Sequence, residues 1–313
     1  DVRFSTYAVP MILGEIRQRS NPGGRILTAL APQIYQGNIY GSRMPIGKKE
    51  IIENFKPETL RDYYRRWYHP LNQAVVIVGD FDPDVMEQSI RHHFAGLKPA
   101  PGARNATTIE VPDNSEPIVV CGSDPEQSAD MLQVYIKDCP LPADDEGTIA
   151  EIRRDYMRSL AAAMLVERFD ALESTPDCPW ANLGIGFGKF LLSGSREALM
   201  LRATANSAAE ARRALTTFYT ELYRAALHGF TATELQRAKL SERAEIDSRM
   251  AKASVESNTE LARRFVRHFI RGGVLPSTEQ YFKMMAGVER NTSVDDVNRY
   301  FASLAFTDGR NRV

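Results

Sequence analysis

Between Asn72 and Asp80 runs Ala74-Val75-Val76-Ile77-Val78, an apolar stretch of strand length, rich in β-branched residues and flanked by chain breakers. It is the one convincing strand in residues 1–97. A lone strand buries little and leaves two unpaired edges. The first hundred residues are therefore expected to be completed by something else: unseen residues, a second chain or an exchange between copies. The rest of this region reads as helix and turn. Met44-Pro45-Ile46-Gly47 is a turn, with Pro fixing φ and Gly supplying a permissive backbone before the helical residues Lys48 to Phe55. Pro57 suits the first turn of a second helix, whose Leu60, Tyr63, Tyr64, Trp67 and Tyr68 share a face. His69-Pro70-Leu71-Asn72 ends it. After the strand, Asp82-Pro83 starts a helix with Val85, Met86, Ile90 and Phe94 inward. Upstream, residues 6–32 read as helix, broken at Asn21-Pro22-Gly23-Gly24, since inside a helix Pro costs about 3 and each Gly about 1 kcal/mol.

Leu97 to Asn114 is rich in Pro and Gly, and the division expected is residues 1–100 as one domain, 101–114 as a linker and 115–313 as a second domain. The second domain opens with candidate strands at Pro117–Cys121 and Met131–Lys137. A long helix follows, Thr148 to Leu172, with Asp144-Asp145-Glu146 complementing its dipole. Leu183–Leu192 and Ala198–Ala205 read as a hairpin around Ser193-Gly194-Ser195-Arg196. Helices are expected at Ala208–Leu227, from the capping box Thr231-x-x-Glu234 toward Ala251, at Val255–Arg271, Thr278–Gly287 and Val294–Leu304. This order predicts an α+β fold: antiparallel sheets with helices packed on one face, in two related domains of which the first is incomplete.

At 313 residues the chain has room for about two domains, and with 43% hydrophobic and 25% charged residues its composition is ordinary. A net charge of −1 offers no basic patch for nucleic acid, and no apolar run reaches the ~18 residues a membrane helix needs. The opening residues lack the order of a signal peptide. Cys121, Cys139 and Cys178 are widely spaced and odd in number, and are expected as free buried thiols.

The stretch RMPIGKKEIIENFKPETLRDYYRRWYHPLNQAVVIVGDFDPDVMEQSIRHHF, Arg43 to Phe94, resembles the pitrilysin/insulinase family of zinc peptidases, or inverzincins. GFTATELQRAK from Gly229, SVDDVNRYF from Ser293 and the closing GRNRV extend the resemblance to most of the chain, from about Gly14. It implies the later part of a metal-bearing peptidase domain followed by a non-catalytic one, in a zinc metalloendopeptidase that adds peptides to a sheet edge. It also implies partners, namely a peptide substrate and the missing N-terminal segment or second half-molecule, and a periplasmic or secreted location.

In the resembled family zinc is held by the two histidines of H-x-x-E-H, one helical turn apart on one face, and by a downstream glutamate. The histidines here are His69, His92, His93, His228 and His268, and none stands in that motif. The 313 residues alone are expected to be inactive, with any zinc bound in a parent protein. Gly14-Glu15-Ile16-Arg17-Gln18-Arg19 matches the context of the third ligand, which makes Glu15 the candidate. Where family members carry a second acidic residue this chain has Ala8. Glu15 is otherwise a surface carboxylate paired with Arg19. The alternative for the whole chain is a catalytically dead, peptidase-like scaffold or partner subunit.

Other patterns read more plainly. His92 and His93 point about 100° apart and read as a solvated pair. His69 is expected to cap the aromatic helix or pack beside Trp67. Gly184-x-Gly186-x-Gly188 lies within a strand, which suits close backbone approach better than a dinucleotide. Asp80-x-Asp82-x-Asp84 lacks the Gly and distal Glu of a calcium loop and reads as strand end plus helix cap.

Overall fold

A computed structural model describes residues 8–253, 257–306 and 309–313. The chain divides into two compact units, one drawn from Asp1–Ser20, Met44–Thr108 and Val255–Gly272, the other from Asn21–Arg43, Ile109–Ser254 and Gly273–Val313.

The first unit is helical among the described residues, with α1 (Val9–Arg19), α3 (Lys49–Asn54), α4 (Pro57–Trp67), α5 (Pro83–Phe94) and α9 (Asn258–Arg271). Its helix starts follow local chemistry. Pro57 and Pro83 occupy first-turn positions, and the Asp82 carboxylate accepts from the backbone N–H of Asp84 and Val85.

The second unit holds α2 (Pro22–Ile34), β1 (Asp130–Lys137), α6 (Ile149–Glu173), β2 (Trp180–Lys189), β3 (Glu197–Ala205), α7 (Ala208–His228), α8 (Ala232–Ala253), α10 (Thr278–Asn291) and α11 (Val294–Ala305). The strands form an antiparallel sheet in the order β1-β3-β2, with Leu201 of the middle strand opposite both Val134 and Ile185. Leu199, Leu201 and Ala203 are fully buried, while Arg202 between them is exposed, the alternation of a sheet with one covered face. That face packs with Leu160, Met164 and Leu165 of α6 and Phe218 of α7. Phe169, Trp180 and Phe218 meet edge to face, with ring centroids 5.1–5.9 Å apart. Thr231 and Glu234 form the expected reciprocal cap of α8, each side chain accepting from the other's N–H. Gly147 and Gly273, at φ +75° and +78°, let two loops cross so closely that a Cβ on either would strike the other's backbone.

The fold class agrees with the sequence reading, and three local expectations are corrected. Ala74 to Val78 forms no strand among the described residues and Gly79-Asp80 is a bend, with Val75 and Ile77 48% and 44% exposed. A strand needs a neighbour's N–H and C=O groups, and the first unit supplies none. Pro117–Cys121 is no strand either: Ile118 donates one bond to Arg312, and Val119 is 80% exposed. The expected break falls at Ser20 and Asn21, between the end of α1 and the first turn of α2, which Pro22, Gly23 and Gly24 form behind the Asn21 cap. The cysteines are not buried, since Cys121 and Cys139 are exposed and Cys178 is intermediate. Val255, expected to begin a helix, lies outside the described residues, and α9 starts at Asn258 behind the Ser257 cap.

Two truncations separate a packed core from an unpaired segment. Leu160→Ala should cost about 2–5 kcal/mol in urea unfolding. Ile77→Ala should cost under about 0.5 kcal/mol, as at other exposed positions.

Candidate functional site

The second unit holds an open cavity of about 490 Å³ against β2. On one side α6 presents Ser159, Ala162, Ala163 and Val166, a stripe of small residues at helical spacing. On the other runs β2, whose Gly184, Gly186 and Gly188 leave alternate positions without side chains. A Cβ on Gly186 would meet nothing within 4 Å. At Gly186 the missing side chain therefore bares the strand rather than relieving a clash, whereas a Cβ on Gly188 would come within 3.2 Å of Met200 Cε.

The two edges of the sheet differ. Along β1, Tyr135 and Val313 exchange backbone hydrogen bonds of 2.8 and 2.9 Å, and Lys137 donates to Asn311 at 2.8 Å, so the C-terminal residues close that edge. The far edge of β2 pairs with no strand among the described residues.

The cavity rim is acidic. Arg158 is buried, and its guanidinium donates to Asp138 at 2.9 and 2.5 Å and to Glu197 at 2.6 Å. Burial disfavours its charge, but Asp138, Tyr300 and Glu197 outweigh that, and its pKa rises. Asp155 lies 3.4 Å from Arg158 and 3.7 Å from Arg154, which also reaches Glu197 at 3.3 Å. Glu242 of α8 makes no ion pair among the described residues. Two guanidiniums thus stand against four carboxylates (Asp138, Asp155, Glu197, Glu242). Burial raises the pKa of both Asp155 and Glu242, against the pull of neighbouring arginines. An apolar floor under under-neutralised carboxylates suits a cationic group with an aliphatic stem.

The residues singled out by sequence are not assembled into a centre. Glu15 lies half-exposed on α1. No group of three His, Cys, Asp or Glu able to hold a metal occurs among the described residues. These residues by themselves do not fit zinc, which takes three or four protein ligands. His92 and His93 are exposed, while His69 is buried and bonds to the Arg104 carbonyl. Asp82 is a helix cap, as read. The G-x-G-x-G strand does mark the cavity wall. Asp155 and Glu242 carried no sequence signal, because α6 and α8 bring them together only in the fold.

These features define an α+β chain with an antiparallel three-stranded sheet covered by helices. Residues 54–145 match the family model described as Peptidase M16 inactive domain. The zinc protease PQQL-like of Arabidopsis thaliana is 23% identical over 299 residues, which are 95% of this chain and 28% of that protein. The first half of the periplasmic protease PqqL of Escherichia coli superposes with a TM-score of 0.76 at 18% identity, covering 97% of this chain and 64% of that one. Whole PqqL gives 0.78 at 18%, covering 98% and 33%. The chain is thus similar to zinc proteases of this type in sequence and in fold. It spans little more than a quarter of the Arabidopsis protein. No helix among the described residues is long and apolar enough to cross a membrane.

Because burial raises the Glu242 carboxyl, its ionisation costs stability at neutral pH. That cost disappears as pH falls through the folded value toward the ordinary carboxylate range. Glu242→Gln should therefore melt about 1–3 °C above wild type at pH 7 and match it near pH ~4.

Proposed function

We propose that the second unit holds an extended peptide along the open edge of β2, as the non-catalytic part of a zinc metalloendopeptidase. The observation that carries this is the asymmetry of the sheet, closed along β1 and open along β2 beside an acid-rimmed cavity. A peptide strand would satisfy the free backbone groups of β2, and a Lys or Arg side chain would enter between Asp155 and Glu242. In the parent protein, residues 1–100 would be the later part of the metal-bearing domain, 101–114 the connector and 115–313 the non-catalytic domain. Glu15 would there supply one carboxylate to zinc, with the remaining ligands and the general base drawn from outside these residues. The partner completing the first unit would pair with Ala74–Val78. The location would be periplasmic or secreted, as for PqqL.

The alternative, a catalytically dead scaffold, is favoured by one observation: Ala8 stands where an acidic residue is expected. Both readings share the peptide seat and part at zinc.

Fluorescence anisotropy with labelled extended peptides tests the seat. A lysine-containing peptide should bind about tenfold tighter than its glutamate counterpart, a difference of roughly 1.4 kcal/mol. Asp155→Asn with Glu242→Gln should abolish the preference. Equal binding of the two peptides to wild type would remove the acidic rim from the account. In the parent protein, Glu15→Gln should lower the zinc content measured by mass spectrometry, and unchanged zinc would remove Glu15 from the ligand set.

A further inference from the structure

The Pro- and Gly-rich connector is fastened at both ends by side chains. In the first unit the Asn72 amide is fully used: Nδ2 donates to the carbonyls of Trp67 at 3.0 Å and Arg104 at 2.8 Å, and Oδ1 accepts from the Ala106 N–H at 3.0 Å. His69, 3% exposed, places Nε2 at 2.9 Å from the same Arg104 oxygen. A carbonyl can only accept, so Nε2 carries the proton. The Arg104 N–H donates to the Arg66 carbonyl at 2.7 Å. Residues 104–106 are thereby tied to the end of α4 and the turn that follows it.

In the second unit Ser195 Oγ donates to the Ile109 carbonyl at 2.8 Å, and Asn38 Nδ2 donates to the Glu110 carbonyl at 2.8 Å. Val111 is buried, Lys137 donates to the Pro112 carbonyl, and Arg196 pairs with Asp113. Thr107 and Thr108 make no hydrogen bond among the described residues.

We propose that the His69–Asn72 turn is a latch on the connector, confining its conformational freedom to Thr107 and Thr108. Asn72 is a positioning residue whose three bonds hold two strap residues at once. A shorter amide-free side chain releases the Ala106 N–H and weakens the hold on Arg104. The segment then opens locally, without unfolding of either unit.

Limited trypsin digestion of the intact protein tests this at the Arg104–Asn105 bond, because cleavage requires the segment to leave its bonds. Asn72→Ala should speed cleavage there by about tenfold or more, while cleavage after Arg212 on α7 keeps its wild-type rate. Asn72→Asp, which keeps the acceptor for Ala106 but loses the donors, should fall between. Unchanged cleavage at Arg104, or an equal rise at Arg212, overturns the latch. Hydrogen exchange of the unmutated protein gives an independent reading. The Ala106 amide should exchange at least about tenfold more slowly than those of Thr107 and Thr108, relative to their intrinsic rates. Equal exchange would overturn the proposal even if the variants failed to fold.

Discussion

The second unit closes around one buried charge. Arg158 projects from α6 and ties together the residue after β1 (Asp138), the start of β3 (Glu197) and Tyr300 of α11, which itself donates to Asp138 at 2.7 Å. Such a network adds little net stability over an apolar equivalent, but removing one partner strands the others and costs about 3–5 kcal/mol. What it supplies is position. The guanidinium lies 5.3 Å from the Phe187 ring, so the network also fixes how α6 lies along β2. The small-residue stripe of α6 and the bare strand face each other across a cavity because that register is set.

The carboxylates follow from the same arrangement. Asp138 and Glu197 take the close contacts of Arg158, which leaves Asp155 only the longer approaches of Arg158 and Arg154 at 3.4 and 3.7 Å, and Glu242 no ion pair among the described residues. Neither carboxylate stabilises the fold as an ion, since burial raises the pKa of both. Elsewhere acidic groups behave differently. Glu234 is held down to about 2 chiefly by the Arg168 guanidinium, and Asp296 to about 2 chiefly by the Ser293 backbone N–H. Those two anchor helix starts, and the cavity pair does not.

Much of the fold was legible because local signals and tertiary packing agree. Thr231 and Asp82 are the caps their positions suggested, and β2 and β3 form the hairpin that the turn at Ser193–Arg196 implied. The misreadings share one cause. Ala74–Val78 and Pro117–Cys121 have strand composition, but a strand exists only through its neighbour. The first unit offers no partner among its described residues, and the edge beside Ile118 is already taken by Asn311–Val313. The site was half legible. G-x-G-x-G lies on the cavity wall, whereas Asp155 and Glu242 lie 87 positions apart and no spacing rule connects them. Composition marked the connector, but Pro and Gly report how a backbone can bend and not what fastens it.

Three stretches of extended backbone meet the same requirement in different ways, since every N–H and C=O must find a partner or water. Along β1 the partner is the end of the chain itself. In the connector the partners are side chains, Asn72 on one side and Ser195 and Asn38 on the other. At Ala74–Val78 no strand partner occurs among the described residues, Val75 and Ile77 are exposed, and each Å² of apolar surface left in water forgoes about 25 cal/mol. A strand laid beside this segment would satisfy backbone and side chains together. The edge of β2 offers no such gain from its glycine positions, where there is little side chain to bury. Pairing at Ala74–Val78 therefore favours a permanent neighbour, whereas pairing at β2 favours a visitor held by its own side chains.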